Sequence, residues 1–187
     1  MVLSIFTAPD VMDAPTCRRV QGAMDAGVPE PAEVLHDTIS VQEEVRRASE
    51  IDVPDVVLVM VETCLDRMLD SIAAFYRLSL QSREGPSFLR YETGGFYKPH
   101  VDRARVPSWP ATARRQVTMV LFLESSRDAE PAGGFSGGLL RLFPDGAGAP
   151  IDITPTRGTV VAFPAAMRHE VTPVTSGRRD TVVDWFY

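Results

Sequence analysis

The sequence predicts an α+β fold: helices first, then a jelly roll of short strands resting on them. Three observations predict it. Apolar residues at helical spacing are confined to the first 86 residues. After Gly85–Pro86, short β-rich runs alternate with glycine and proline. At 187 residues and 44% hydrophobic content, the chain can bury a full core as one domain, residues 1–187. Within it, residues 1–86 are expected to form helical support and residues 87–187 the jelly-roll core.

The elements follow in order. Asp13 can cap a first helix that carries Pro15 in its opening turn and ends near Gly27. A proline-rich turn follows at Val28–Ala32. "EVLHDTISV" is a candidate strand leading into the polar "QEEVRRASE". Asp52 or Asp55 can cap one long helix with Pro54 near its start. Val57, Met60, Val61, Cys64, Leu65, Met68, Leu69, Ile72 and Phe75 or Tyr76 fall on its apolar stripe, which should pack on the outside of a sheet. Strands are predicted at Ser87–Tyr91, Phe96–Asp102, Gln116–Leu123, Gly138–Phe143, Ile151–Ile153, Gly158–Phe163, His169–Val174 and Arg179–Phe186.

Charge and cysteines narrow the function classes. The formal net charge is −6 and the pI about 5.1, which argues against a long phosphate-binding surface and so against a nucleic-acid partner. Cys17 and Cys64 lie far apart in helix-like segments and read as free thiols of a reducing cytoplasm. "MVLSIF" has no basic region or cleavage pattern of a signal peptide, and no apolar run reaches the roughly 20 residues of a membrane helix.

The chemistry concentrates in "FYKPHVDRA" and "RHEVTPVTSGRRDTVVDW". Side chains two apart on a strand share a face, so His100 and Asp102 can reach one metal, and the distant His169 can complete the set. Two imidazoles and one carboxylate leave coordination positions open, as in non-haem Fe(II) oxygenases. Taken singly, each histidine reads as an ordinary core or surface residue. The full pattern is Tyr-x5-Tyr-x2-His-x-Asp, a Gly-Gly before a strand, then His-x9-Arg and Trp, and together it points to metal. In a strand Arg178 and Arg179 face opposite ways, one of them outward.

"RYETGGFYKPHVD", "RRQVTMVLFLE", "GGLLRLFPDG" and "HEVTPVTSGRRDTVVDWFY" resemble the Fe(II)/2-oxoglutarate-dependent dioxygenases, in particular the prolyl 4-hydroxylase branch that includes the hypoxia-factor prolyl hydroxylases and bacterial relatives. The resemblance is strong over 87–187 and weaker before, where "EEVRRASE" is similar to an N-terminal segment of the family. It implies a double-stranded β-helix, with Fe(II) on His100, Asp102 and His169 and the distal carboxylate of 2-oxoglutarate on Arg179. The family's Arg-to-Trp spacing selects Arg179 over Arg178, and a guanidinium fork suits a carboxylate. The resemblance further implies that Tyr91, Thr118, Leu140, Thr181 and Trp185 line the cofactor pocket. Tyr97, Arg115 and Trp109 fall on the substrate side, with core packing the plain alternative for Tyr97 and Trp185. The implied reaction uses O2, with ascorbate as an accessory reductant. It decarboxylates 2-oxoglutarate to succinate and hydroxylates an unactivated C–H bond. The presence of Asp102 favours hydroxylation over halogenation.

Two departures stand out. Relatives of the hypoxia-factor type often carry a tyrosine where this chain has Phe122, so a hydroxyl for the co-substrate carboxylate is missing; Thr118, Thr159, Thr181 or a water are the alternatives. The loop "RARVPSWPATARR" is longer than in those enzymes and reads either as a substrate grip or as a solvated loop.

The first function expected is hydroxylation of a prolyl residue in a protein or peptide. The second is hydroxylation of a free amino acid or other small metabolite. A nucleic-acid demethylase of this superfamily would need a second arginine where Trp185 stands. A non-catalytic scaffold would be expected to have lost a metal ligand or the arginine, and none is lost. Oligomeric state is not legible in the chain.

Overall fold

The computed structural model describes residues 5–35, 39–103, 110–144 and 149–187. The first half contains β1 (Phe6–Ala8), α1 (Ala14–Ala26), β2 (Pro29–Pro31), β3 (Val34–Leu35), β4 (Ile39–Ser40), β5 (Arg46–Arg47) and β6 (Ser49–Ile51). α2 (Asp55–Asp66) and α3 (Leu69–Tyr76) follow, then β7 (Ser87–Tyr91) and β8 (Phe96–His100). The rest is α4 (Pro110–Arg114), β9 (Val117–Phe122), β10 (Phe135–Gly137), β11 (Leu140–Phe143), β12 (Ile151–Ile153), β13 (Val160–Pro164), β14 (Arg168–Val171), β15 (Val174–Gly177) and β16 (Arg179–Phe186).

Two antiparallel sheets form the body. The larger runs β1-β13-β9-β16-β7-β6-β2, and the smaller β12-β11-β14-β8-β5. This is the α+β jelly roll that the strand spacing predicts. β9 is buried at every position because both of its faces are covered. Val117, Met119 and Leu121 face a core shared with Cys17, Val20 and Met24 of α1, Val57, Val61 and Leu65 of α2, and Ile72 of α3. Val120 and Phe122 face the opposite way, against Leu140, Leu142 and Phe163 between the sheets. The helices thus cover the outside of the larger sheet, and the space between the sheets is left for a site.

Local signals explain most boundaries. The Asp13 side chain accepts the Thr16 N–H at 2.8 Å and starts α1, with Pro15 in the first turn and Gly27 at the end. A Cβ at Gly27 would lie 2.5 Å from the Asp52 carbonyl, so glycine is needed for the close approach.

Four expectations are corrected. The single long helix is two, because the hydrogen bonding tightens at Met68 N–H to Leu65 C=O and restarts with Ile72 N–H to Met68 C=O. Arg83 holds the last turn of α2 through Asp66 and Glu62, a tie from 17 residues away that helical spacing does not show. Pro54 caps α2 without a side-chain bond, rather than Asp52 or Asp55. The predicted strand His169–Val174 divides at Pro173 into β14 and β15, which belong to different sheets. The stretch before residue 86 is not helical support alone: β1, β2 and β6 extend the larger sheet and β5 the smaller.

Candidate metal and co-substrate site

β8 and β14 pair so that His100 and His169 are direct cross-strand partners. Asp102 is not on the strand with His100, as same-face alternation would have it. β8 ends at His100, and the N–H groups of Asp102 and Arg103 both bond the Ala165 carbonyl, at 3.1 and 2.9 Å, which bends the chain and turns Asp102 back. The ligand atoms of His100, Asp102 and His169 lie within 4.8 Å of one another. His100 Nε2 is 3.4 Å from Asp102 Oδ1, and His169 Nε2 is 3.5 Å from Asp102 Oδ2.

Both imidazoles are fixed by their own strands. His100 Nδ1 is 2.8 Å from the Lys98 carbonyl, and His169 Nδ1 is 2.9 Å from the Met167 carbonyl. A carbonyl only accepts, so each Nδ1 carries the proton and each Nε2 presents a lone pair to the centre. Burial, and His100 beside it, push His169 down to about 4 against the pull of Asp102, so it is neutral at pH 7. Burial opposes charge on Asp102, but the facing His169 and His100 and the Trp185 N–H hold its carboxyl well below the ordinary range. A neutral His169 and an ionised Asp102 are in the protonation states that a divalent metal requires.

Across the cavity, alternation along β16 aims Arg179, Val183 and Trp185 inward while Val182 and Phe186 join the helix-side core. Arg179 is 2% exposed, and its guanidinium lies 5.0 Å from the Tyr91 ring centre and 5.5 Å from that of Phe122. Its Nη1 donates to Thr181 Oγ1 at 3.2 Å, and its Nε has no partner. Among the described residues no carboxylate pairs with it. Burial pushes it down to about 10, yet it stays a cation at neutral pH. Gly138 makes room for it: a Cβ there would lie 2.9 Å from Arg179 Cδ, and its φ of +61° suits glycine. Arg178 instead turns away from the cavity and pairs with the exposed Asp25 and the buried Asp180.

These residues open on a cavity of about 380 Å³. Tyr91, Tyr97, His100, Arg115, Thr118, Leu140, His169, Arg179 and Trp185 line it, so most residues singled out from the sequence meet at one place. Thr181 lies behind the wall, on Arg179. Trp109 lies outside the described residues. Two side chains do more than the sequence suggested: Thr118 Oγ1 and Trp185 Nε1 both donate to Asp102 Oδ2, at 2.7 and 3.0 Å.

Arg115 borders the cavity, but its cation is already matched. It pairs with both oxygens of Glu84, at 2.8 and 2.7 Å, and lies 3.7 Å from the centre of the Trp185 ring. Glu84 was missed in the sequence, as was Arg46. The Arg46 guanidinium lies 4.8 Å from the centre of the Tyr97 ring, and Tyr97 in turn stacks on His100 at 3.5 Å. Burial raises the Tyr97 phenol to about 12. The Arg before "RASE" was a visible cue, but its two-residue strand was too short to show a period.

The donor set fits a divalent metal, and the buried Arg179, which no carboxylate among the described residues pairs, fits the distal carboxylate of a dicarboxylic co-substrate. The comparisons agree. The family model for the 2OG-Fe(II) oxygenase superfamily matches residues 86–187. A PKHD-type hydroxylase of Alteromonas mediterranea is 33% identical over 102 residues, 54% of this chain and 42% of that relative, so the match spans less than half of its length. A PKHD-type hydroxylase of Gloeothece citriformis is 26% identical over 97% of this chain and 77% of its own length. Among solved structures, a Pseudomonas putida prolyl-4-hydroxylase superposes with a TM-score of 0.72 at 26% identity, covering 99% of this chain and 92% of that one. A Trichoplax adhaerens prolyl hydroxylase, solved with a hypoxia-inducible-factor peptide, gives 0.79 at 16% identity over 100% and 84% of the two chains, and shows the shared fold. With more than half of its length matched, and with the triad and its facing arginine inside the matched part, this chain belongs to the 2OG-Fe(II) oxygenase superfamily.

Proposed function

We propose that the protein is an Fe(II)- and 2-oxoglutarate-dependent hydroxylase whose substrate is a prolyl residue of a protein or peptide. The observation that carries this is the meeting, on one cavity, of the His100–Asp102–His169 triad and a buried arginine without a counter-charge among the described residues. The likeness over nearly the whole chain to a bacterial prolyl-4-hydroxylase supports the choice of proline. Residues 1–187 act as one catalytic unit in this reading. The free thiols Cys17 and Cys64 fit a reducing compartment such as the cytoplasm.

His100, Asp102 and His169 would hold the iron, and Arg179 would grip the far carboxylate of 2-oxoglutarate. When bound, metal and co-substrate together supply the oxidising power that places an oxygen atom from O2 on an unactivated C–H bond, giving succinate and CO2. The chain's part is placement. The Nδ1 bonds to Lys98 and Met167 fix the imidazole orientations. Thr181 steadies the guanidinium. Leu89, Val120, Leu140 and Val183 give the cavity apolar walls that limit water. The Glu84–Arg115 pair backs the Trp185 ring.

The test is succinate release from 2-oxoglutarate with Fe(II) and ascorbate, with and without proline-containing peptides. Peptide-stimulated turnover with hydroxyproline by mass spectrometry is the expected result. Stimulation by free amino acids alone would replace the peptide substrate with a metabolite. No turnover with any substrate, in protein that binds metal, would favour a scaffold.

A further inference from the structure

Asp102 is held in an unusual way for a metal-binding carboxylate. Thr118 Oγ1 at 2.7 Å and Trp185 Nε1 at 3.0 Å both donate to the same oxygen, Oδ2. A carboxylate oxygen has two lone-pair directions, and here two donors fill them. Among the described residues Oδ1 receives no comparable donor; its near neighbour is His100 Nε2 at 3.4 Å, whereas Oδ2, with its two donors, also lies 3.5 Å from His169 Nε2. The two donors come from adjacent strands. Thr118 on β9 and Trp185 on β16 are direct cross-strand partners, so their side chains stand side by side on the inner face. Arg115 lies over the indole at 3.7 Å and bonds the Asp102 carbonyl at 3.3 Å, which ties the indole and the aspartate backbone together.

We propose that Thr118 and Trp185 are positioning residues that make Asp102 a ligand through Oδ1 alone. The inference rests on the metal-site reading above and adds what that reading lacks, a reason for the site to stay open. A carboxylate free to rotate can chelate a metal through both oxygens and occupy a position that a bidentate co-substrate or O2 needs. With Oδ2 engaged by an indole N–H and a hydroxyl, the second oxygen is withheld and the carboxylate plane is fixed. Neither residue touches the metal in this scheme. Each acts through Asp102, in the way that outer partners of ligands tune affinity.

The test uses Co(II) binding to the full chain, followed by calorimetry and by the visible absorption that reports coordination. Thr118→Val removes the hydroxyl with little change of volume, and Trp185→Phe removes the N–H while keeping a ring beneath Arg115. Each is expected to weaken Co(II) binding about tenfold and the pair roughly a hundredfold, the span seen for outer partners of metal ligands. The double variant should show an altered Co(II) spectrum, and Thr118→Ser should restore wild-type behaviour. If either single variant does not fold, the other carries the same measurement. Affinity and spectrum unchanged in folded variants, with only thermal stability lowered, would reduce the pair to a structural contact and overturn the proposal. A wild-type chain that takes up no Co(II) would overturn the metal site as well, so the two failures are separate.

Discussion

Arg179→Met should produce two effects of opposite sign. In the free protein the guanidinium is 2% exposed, lacks a counter-charge among the described residues and leaves Nε without a partner. Burial lowers it from the ordinary arginine range to about 10. That drop is roughly two to three powers of ten in proton affinity, and at about 1.4 kcal/mol for each it is a cost on the order of 3 kcal/mol to the folded state. The sign follows from the direction: a base whose folded value is depressed costs stability at all pH values below about 10, and the cost fades as pH rises through that value. Methionine fills similar space without charge, so the metal-free variant should be as stable as wild type or more so, by up to about 3 kcal/mol, or roughly 6–12 °C in Tm. Binding of 2-oxoglutarate should fall steeply. A forked, charge-assisted pair with a buried cation contributes about 3–5 kcal/mol, or roughly two to three and a half powers of ten in Kd. Calorimetric titration of 2-oxoglutarate into Mn(II)-loaded protein measures the second effect and metal-free thermal unfolding the first. A Kd within threefold of wild type would refute Arg179 as the carboxylate anchor. A large loss of metal-free stability would refute the claim that its charge is unmatched.

Three further outcomes follow from neighbouring contacts. Thr181→Val removes the hydroxyl beside Arg179, opposite Phe122 across the strand pair; 2-oxoglutarate binding should weaken about tenfold, the scale of one hydrogen bond to a charged group, and Phe122→Tyr in that background should restore it. Equal Kd values in all three proteins would leave the missing hydroxyl without consequence. Glu84→Gln strands the Arg115 cation, which is 6% exposed; stability should fall by about 3 kcal/mol, roughly 6–12 °C, and chemical denaturation would show it. Burial pushes the Cys17 thiol up to about 11 and raises Cys64, so an aromatic disulfide reagent at pH 8 should label native protein slowly and unfolded protein at once; fast labelling of the native chain would contradict the packing of α1 against α2.

The parts of the fold legible in the sequence are those with local causes. Asp13, Pro15 and Gly27 frame α1 by capping chemistry that needs no partner. Alternation along β16 separates Arg179 from Arg178, and the structure turns one into the cavity and the other to Asp25. What stayed hidden depends on distant pairing. Strands of two or three residues such as β1, β5 and β6 have no period to detect, and they exist because the sheets beside them offer an edge. Asp102 reaches the histidines through a bend that Ala165 imposes from 63 residues downstream, and the sequence spacing suggested strand alternation instead. Arg115 looked free to meet a substrate because nothing in the chain order links it to Glu84. Likewise, Thr118 and Trp185 read as pocket wall, since a shared acceptor atom is visible only in three dimensions.

The cavity draws on stretches of chain far apart in sequence. The triad, Arg179 and most of the walls around them come from residues 87–187, with Glu84 and Gly85 just before, whereas Glu33, Arg46 and Glu50 come from the first 50 residues. Arg46 reaches the metal-ligand set through a stack on Tyr97 and His100, and its strand β5 pairs with β8. In the proposed reaction, substitutions at Glu33 and Glu50 would redraw the border of the cavity without replacing a metal ligand or Arg179. Under the proposed function, a designer wishing to retarget the cavity would leave β9 and β16 alone and start from Glu33 and Glu50.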